Sequence, residues 1–260
     1  MTTARDAQKE RAVEVHSAQA SLFAARYREL DFDPYASCFN YSRRRLETLL
    51  DRVLPASGEG LRLLDVGCGT GHHLTRARAR GFTVAGVDGS EEMLAQAARA
   101  CPEAELRRSD VEALPFPDGS FDLVLSIEVV RYLPDARACV RELARVTQAG
   151  GTCLATASPL FNLSGYPLIN RLAARLPLGD LVRLRQFFHT SFGLRRLFQN
   201  AGFGRVEIHG VYLGPINWVE RLVPRALPPL LKRWEPVDAR VADLPLLRDL
   251  SAMLLVHAIR

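Results

Sequence analysis

Between residues 61 and 157, short runs suited to strands alternate with amphipathic stretches. The pattern predicts strands over 61–66, 82–87, 104–109, 121–126 and 152–157, and helices over 71–80, 91–100 and 135–147. In the last helix Ala136, Cys139, Val140, Leu143 and Ala144 fall at i, i+3, i+4, i+7 and i+8, one face of a 3.6-residue period. Asp135 lies in its first turn, where a negative charge meets the helix dipole favourably. Five strands joined by crossover segments imply an α/β fold with a parallel sheet covered on both faces.

The flanks read differently. Residues 5–30 are polar and helix-compatible, ending at Asp31–Tyr35 with Pro34 as the break. Residues 39–53 form a second helical pattern, with Leu46, Leu49, Leu50 and Val53 on one stripe. Beyond 157 the spacing predicts a helix over 165–188 and an amphipathic helix over 191–201 that Gly202 stops. A strand follows over 205–212, then a Pro-rich helical stretch over 215–248 carrying Trp218 and Trp234, and a last strand over 250–259. The expected organisation is one domain, 1–260. A helical cap occupies 1–55 and the core 61–157. Helical lid insertions span 158–190 and 213–248, and 191–212 and 249–260 complete the sheet.

A chain of 260 residues that is 48% hydrophobic has enough apolar mass for a full core. Residues 1–30 contain no apolar segment of signal-peptide type, and no run reaches membrane-spanning length. The five cysteines are scattered without a C-x-x-C pair, which favours free thiols and a reducing, cytoplasmic setting. The net charge of +5 is concentrated in residues 161–260, where 14 Lys+Arg face 7 Asp+Glu. Lys9 and Lys232 are the only lysines, and no aromatic-basic patch supports nucleic-acid binding. The apolar, basic, tryptophan-bracketed stretch 216–234 suggests a lid for a hydrophobic small molecule or a peripheral membrane contact. Pro224, Pro228 and Pro229 weigh against one long interfacial helix.

The chemistry concentrates in Leu63-Leu-Asp-Val-Gly-Cys-Gly-Thr-Gly71. An apolar strand carries Asp65 and enters a turn with Gly67, Gly69 and Gly71, where a ligand can approach the main chain closely. Seventeen residues on, the apolar run Phe82–Val87 ends in Asp88, placed to accept hydrogen bonds from ribose hydroxyls. Together they describe a nucleoside-binding crevice. A dinucleotide fingerprint requires a third glycine where this chain has His72.

Five motifs in order resemble those of the class I S-adenosylmethionine-dependent methyltransferases, in the small-molecule and quinone/lipid group. They are Leu63–Gly71, Val84–Leu94, Ser109–Glu112 with Leu114–Pro117, Phe121–Glu128, and Gln148–Thr152. The resemblance implies a Rossmann-like doubly wound sheet, mostly parallel with an antiparallel last strand, and S-adenosylmethionine as cofactor. It also implies site roles. Gly67, Gly69 and Gly71 would lie against the methionine part, and Asp65 would reach its ammonium through water or hold the loop. Asp88, beside Gly89, would take both ribose hydroxyls, and Met93 would lie on the adenine. Asp110 and Val111 would read the adenine edge, while Ser126 and Ile127 would bracket the reacting end.

Methyl transfer from a sulfonium needs orientation and desolvation more than a dedicated acid or base. Tyr132, where related sequences often carry His, and His189 are the candidate catalytic residues. Tyr35, Tyr41, His72, His73 and Glu128 are weaker candidates with ordinary structural explanations. No acidic cluster of metal-ligand type stands out, so no metal is expected. The expected reaction is methylation of a small organic acceptor, with oxygen favoured as the acceptor atom. Alternatives are a non-catalytic binder of the cofactor, or a methyltransferase acting on RNA or on a membrane lipid or quinone. Ser126-Ile-Glu-Val129 stands where base-methylating members often have Asn/Asp-Pro-Pro-aromatic, which disfavours RNA bases. Oligomeric state is left open.

Overall fold

The computed structural model describes residues 4–163, 165–173, 184–213 and 217–260. Seven of the eight strands among the described residues form one continuous path: β1 (Arg62–Val66), β2 (Thr83–Asp88), β3 (Glu105–Arg108), β4 (Phe121–Ser126), β5 (Thr147–Pro159), β7 (Arg205–Gly210) and β8 (Leu254–Ile259). Their spatial order is β3-β2-β1-β4-β5-β8-β7. The short β6 (Phe188–His189) pairs off this path with the end of β5. The strands from β3 to β5 are parallel, and β8 runs antiparallel to both β5 and β7. The expected doubly wound, mostly parallel sheet with an antiparallel last strand is what the chain forms.

The chain leaves β1 toward β2 and β3 on one side, then returns to β4 on the other. The carboxyl ends of β1 and β4 therefore flank a topological switch point, the place where open α/β sheets bind ligands. β1 is buried from Leu63 to Val66, as expected for a central strand covered on both faces. Two apolar clusters occupy the two faces. One includes Leu64, Val124, Leu143 and Phe198; the other includes Tyr41, Leu46, Leu63 and Leu125.

The intervening helices are α4 (His72–Ala79), α5 (Glu91–Ala100) and α6 (Arg137–Val146), followed later by α8 (Ser191–Asn200). Side-chain oxygens start two of them. Ser90 Oγ accepts from Met93 N at 3.1 Å for α5, and Thr190 Oγ1 accepts from Gly193 N at 3.1 Å for α8. The N-terminal stretch forms two helices, α1 (Ala4–Ser17) and α2 (Ala20–Phe32), where one continuous pattern was expected. The break lets Ser17 Oγ donate to Ser90 Oγ at 2.6 Å, which ties the cap to the start of α5. α3 (Cys38–Val53) matches its expected span.

Three further elements depart from the expected bounds. β5 is longer than 152–157 because the chain terminus pairs with its first residues: Gly150 N donates to Arg260 O at 2.8 Å, and Arg260 N donates to Gly151 O at 3.1 Å. The expected helix 165–188 is helical over α7 (Tyr166–Ala173) and extended at β6, and residues 174–183 lie outside the described residues. The stretch 215–248 divides into α9 (Asn217–Leu222) and α10 (Leu227–Val241), with Pro224 opening a 3-10 turn between them. The side chain of Trp218 lies outside the described residues. Trp234 Nε1 donates to Leu213 O at 3.2 Å. Among the described residues, no helix is long and apolar enough to cross a membrane.

Candidate active site

A cavity of about 1100 Å³ opens at the switch point. Its floor is the loop after β1. Gly67 N and Cys68 N both donate to Val87 O, at 2.8 and 2.9 Å, which folds the loop across the end of β2. Gly69 N then donates to Asp88 Oδ2 at 2.9 Å. At Gly69 the backbone has φ 53°, and a Cβ would meet nothing within 4 Å, so bare main chain faces the cavity. Gly71 has φ 84°, and a Cβ there would stand 2.9 Å from Ala97 Cα on α5, so this position sets helix packing and does not line the cavity.

The two carboxylates of this region behave differently. Asp88 lines the cavity and holds both neighbouring turns, its Oδ1 accepting from Ser90 N at 2.9 Å. Burial raises its pKa, and the bonds from Ser90 and Gly69 work against that rise. Asp65 is 1% exposed, lies outside the cavity wall, and has no hydrogen-bond partner for either oxygen among the described residues. Burial first, then the nearby Asp88 charge, push its pKa up to about 7.

This sets the sign of a pH effect. A carboxyl whose folded pKa lies above its unfolded value contributes stability fully at low pH and loses it as pH rises through the folded value. The stability difference between Asp65→Asn and the native chain should widen from pH 4 to 7 and level off above 7. Denaturant melts of both proteins across pH 5–8 test this; a constant difference would mean that Asp65 is ionised throughout.

Gly89, Met93, Asp110 and Val111 line the cavity beyond Asp88. Met93 is 4% exposed. A Cβ on Gly89 would stand 2.9 Å from Val13 Cγ2, which shows how closely α1 covers this end. Asp110 is engaged by Lys9 of α1, whose Nζ donates to Asp110 Oδ2 at 2.6 Å and to Glu112 Oε2 at 2.9 Å.

At the other end, Ile127 and Tyr132 line the cavity, whereas Ser126 is fully buried behind it with Oγ unpartnered. Glu128 holds φ 65°, the sole positive φ outside glycine among the described residues, a conformation that collects at ligand sites. Its N–H donates to Thr156 Oγ1 at 2.7 Å, and its carboxylate pairs with Arg131 and, at 3.8 Å, with Arg43. Burial alone would raise its pKa; the Arg131 and Arg43 charges outweigh burial and hold it below the usual range. Arg131 also donates to Gln186 Oε1. Burial pushes the Tyr132 phenol up to about 12 against the pull of Arg131, so it stays protonated at neutral pH.

His189 does not line the cavity. It sits in β6, half-buried, with Nε2 unpartnered among the described residues and its pKa lowered by burial. Tyr35 and Tyr41 also lie outside, donating to Glu235 at 2.5 Å and to Asp238 at 3.0 Å. His72 and His73 do line it, with His72 stacked on Tyr27 at 4.2 Å between ring centroids and bonded to Glu47 at 2.6 Å. No described residue from 217–248 reaches the cavity, whereas Tyr166 and Gln186 do.

Sequence reasoning missed His16. Its ring lies 4.9 Å from that of Tyr132, edge to face, and 5.6 Å from Phe23 in a stack. Nδ1 donates to Ala12 O at 2.6 Å, which leaves Nε2 as the acceptor of the neutral ring. Arg43, 8% exposed and lodged against Tyr27 and Phe39, was also missed. α1 and α2 carry little apolar periodicity, so nothing in their pattern marks a buried face.

Residues 64–155 match the family model described as a methyltransferase domain. The chain is 45% identical over 109 residues to a malonyl-[acyl-carrier protein] O-methyltransferase of Erwinia pyrifoliae, covering 42% of this chain and 40% of that protein. It is 33% identical over 127 residues to the 27-O-demethylrifamycin SV methyltransferase of Amycolatopsis mediterranei, covering 46% of each. The chain thus spans less than half the length of these curated relatives. A crystal structure of an S-adenosylmethionine-dependent methyltransferase of Thermotoga maritima shares the fold with a TM-score of 0.64 at 14% identity, over 95% of this chain and 98% of that one. The resemblance to the S-adenosylmethionine-dependent methyltransferases holds at the level of the matched domain and the fold.

Proposed function

We propose that this chain is an enzyme that transfers the methyl group of S-adenosylmethionine to a small acceptor, with oxygen the favoured acceptor atom. The observation that carries the reading is the bond from Gly69 N to Asp88. It closes bare backbone and a carboxylate around one end of a cavity whose other end holds His16, Glu128, Arg131 and Tyr132. The residues present fit the cofactor. Asp88 oxygens, each already accepting one hydrogen bond, keep lone pairs for ribose hydroxyls. Gly69 leaves room for the methionine part, and the orphaned Asp65 carboxylate beneath the loop suits an ammonium group reached through water. Met93, Asp110 and Val111 would hold the adenine, and Ile127 would border the reacting end.

When bound, the cofactor supplies a methyl group activated on sulfonium. The chain's own residues then have three tasks. Buried apolar groups and the two N-terminal helices exclude water from the cavity. Tyr132, protonated at neutral pH, donates a hydrogen bond that orients the acceptor. His16 Nε2 accepts the proton that an acceptor hydroxyl must lose. Glu128 is a poor base because two guanidinium groups stabilise its ionised form, so it positions Arg131.

His16→Phe should keep the stack on Phe23 while lowering kcat by about 100-fold. Turnover of labelled methyl donor by both proteins checks this, and an unchanged kcat would leave the proton to solvent. The reaction itself is tested by incubating the purified chain with a metabolite extract and isotopically labelled methyl donor, then searching by mass spectrometry for a shifted product. Labelled cofactor that binds but is never consumed would favour a non-catalytic binder. The malonyl-[acyl-carrier protein] O-methyltransferase and the 27-O-demethylrifamycin SV methyltransferase are both named for oxygen as the methylated or demethylated atom, which supports the choice of oxygen. Acceptor entry past Tyr166 and Gln186 accords with an acceptor side built partly from 158–190.

A further inference from the structure

The far edge of the sheet carries a second cluster that the methyl-transfer reading does not use. Glu207 and His209 alternate on β7 and so share one face. His257 of β8 is the direct cross-strand partner of Glu207. One donor atom from each of the three lies within 4.8 Å of the others, and all three side chains are partly buried. None of them lines the cavity.

The atoms are arranged as a metal would need them. Glu207 Oε2 lies 3.9 Å from His209 Nε2 and 3.8 Å from His257 Nδ1, too far for hydrogen bonds. Four-coordinate zinc, with bonds of about 2.0–2.2 Å, separates its ligand atoms by about 3.4 Å. A contraction of about half an ångström at each Glu207 contact, and of up to about 1.4 Å between the two imidazoles, which lie within 4.8 Å of each other, would bring the carboxylate and both rings onto one ion. His209 is already oriented for this. Its Nδ1 donates to Asp243 Oδ2 at 2.9 Å, which fixes the tautomer that presents the Nε2 lone pair. Asp243 is itself held, accepting from Gly210 N at 3.3 Å. Arg205 occupies only the other Glu207 oxygen, Oε1, from Nε at 3.0 Å and Nη2 at 2.6 Å. It therefore compensates charge without blocking Oε2.

We propose that Glu207, His209 and His257 form a zinc site, with Asp243 orienting His209 and a fourth position open to water. Two imidazoles and one carboxylate suit zinc and disfavour magnesium and calcium, which take oxygen donors. The ion would clamp the edge strand β7 to β8, the strand that joins it to the rest of the sheet, and would stabilise the folded state by mass action.

The test uses the full chain without a histidine tag, stripped with chelator and dialysed. Zinc is titrated by calorimetry, and cobalt(II) is followed by its visible absorption. The expected result is one ion per chain, a four-coordinate cobalt spectrum and a melting temperature raised by zinc but not by magnesium. His209→Ala and His257→Ala should each weaken zinc at least tenfold and remove the thermal shift. Asp243→Asn should weaken it by about tenfold with the stoichiometry kept. His189→Ala, altering a histidine outside the cluster, should bind as the native chain does. Absence of zinc binding by the folded chain, or binding indifferent to both His209→Ala and His257→Ala, would overturn the assignment. Circular dichroism of each variant separates lost ligands from lost fold. The readouts are independent of methyl transfer, so the two proposals stand or fall separately.

Discussion

Asp88→Ala is expected to weaken S-adenosylmethionine binding by about 100- to 10,000-fold. Two charge-assisted hydrogen bonds to ribose hydroxyls are each worth about 1.5–3 kcal/mol, and a tenfold change in affinity is about 1.4 kcal/mol. The carboxylate has a second duty, because it also receives Gly69 N and Ser90 N. Its removal leaves both donors without a partner and loosens the loop as well as the ribose subsite. Asp88→Asn separates these effects, since its amide oxygen can still accept from one of the two turns while the charge is gone. Calorimetry with S-adenosylhomocysteine, on variants shown to be folded by near-ultraviolet circular dichroism, reads the loss. Native affinity in a folded Asp88→Ala would remove this residue from the site.

Gly71→Ala should be a damaging change in the loop despite its small size. A left-handed φ of 84° disfavours a Cβ by about 1–2 kcal/mol. The new methyl would also press on Ala97 Cα at 2.9 Å, a backbone atom that cannot turn aside. Overpacking of that kind adds about 1–3 kcal/mol. The combined destabilisation, about 2–5 kcal/mol, should lower Tm by about 5–15 °C in a chain of this size. Gly69→Ala is the control. It shares the positive φ but meets nothing within 4 Å, so its melt should change less while cofactor binding suffers from the filled cavity. Equal melts for the two variants would show that α5 yields at Ala97.

What the sequence discloses here follows from how local the determinants are. β1 and β2 end in turns built from glycine and aspartate, and such turns are specified by neighbouring residues alone. Gly67, Gly69, Asp88, Gly89, Met93, Asp110, Val111, Ile127 and Tyr132 accordingly come together around one cavity. Asp65, Gly71 and Ser126 are close in sequence to those residues yet stand behind the wall: Asp65 and Ser126 are buried within β1 and β4, Ser126 alternating with Ile127, and Gly71 packs against α5. His189 fails to reach the cavity for another reason: β6 docks beside Ser158 and Pro159, a pairing no local pattern announces. The contribution of α1 was the least legible. Lys9 meets Asp110 at a sequence separation of 101, and His16 meets Tyr132 only once the helix is docked. The extension of β5 has the same origin, since its first residues pair with the other end of the chain.

The position of α1 also bears on the proposed reaction. Lys9 is bonded to Asp110 and Glu112, Ser17 to Ser90, and Val13 rests over Gly89, so one helix straps the Asp88 end of the cavity. On the proposed reaction, spent cofactor would have to wait for that strap to unbuckle. Departure of the by-product, and with it the pace of successive cycles, would then be tied to two ion pairs whose grip slackens as ionic strength rises.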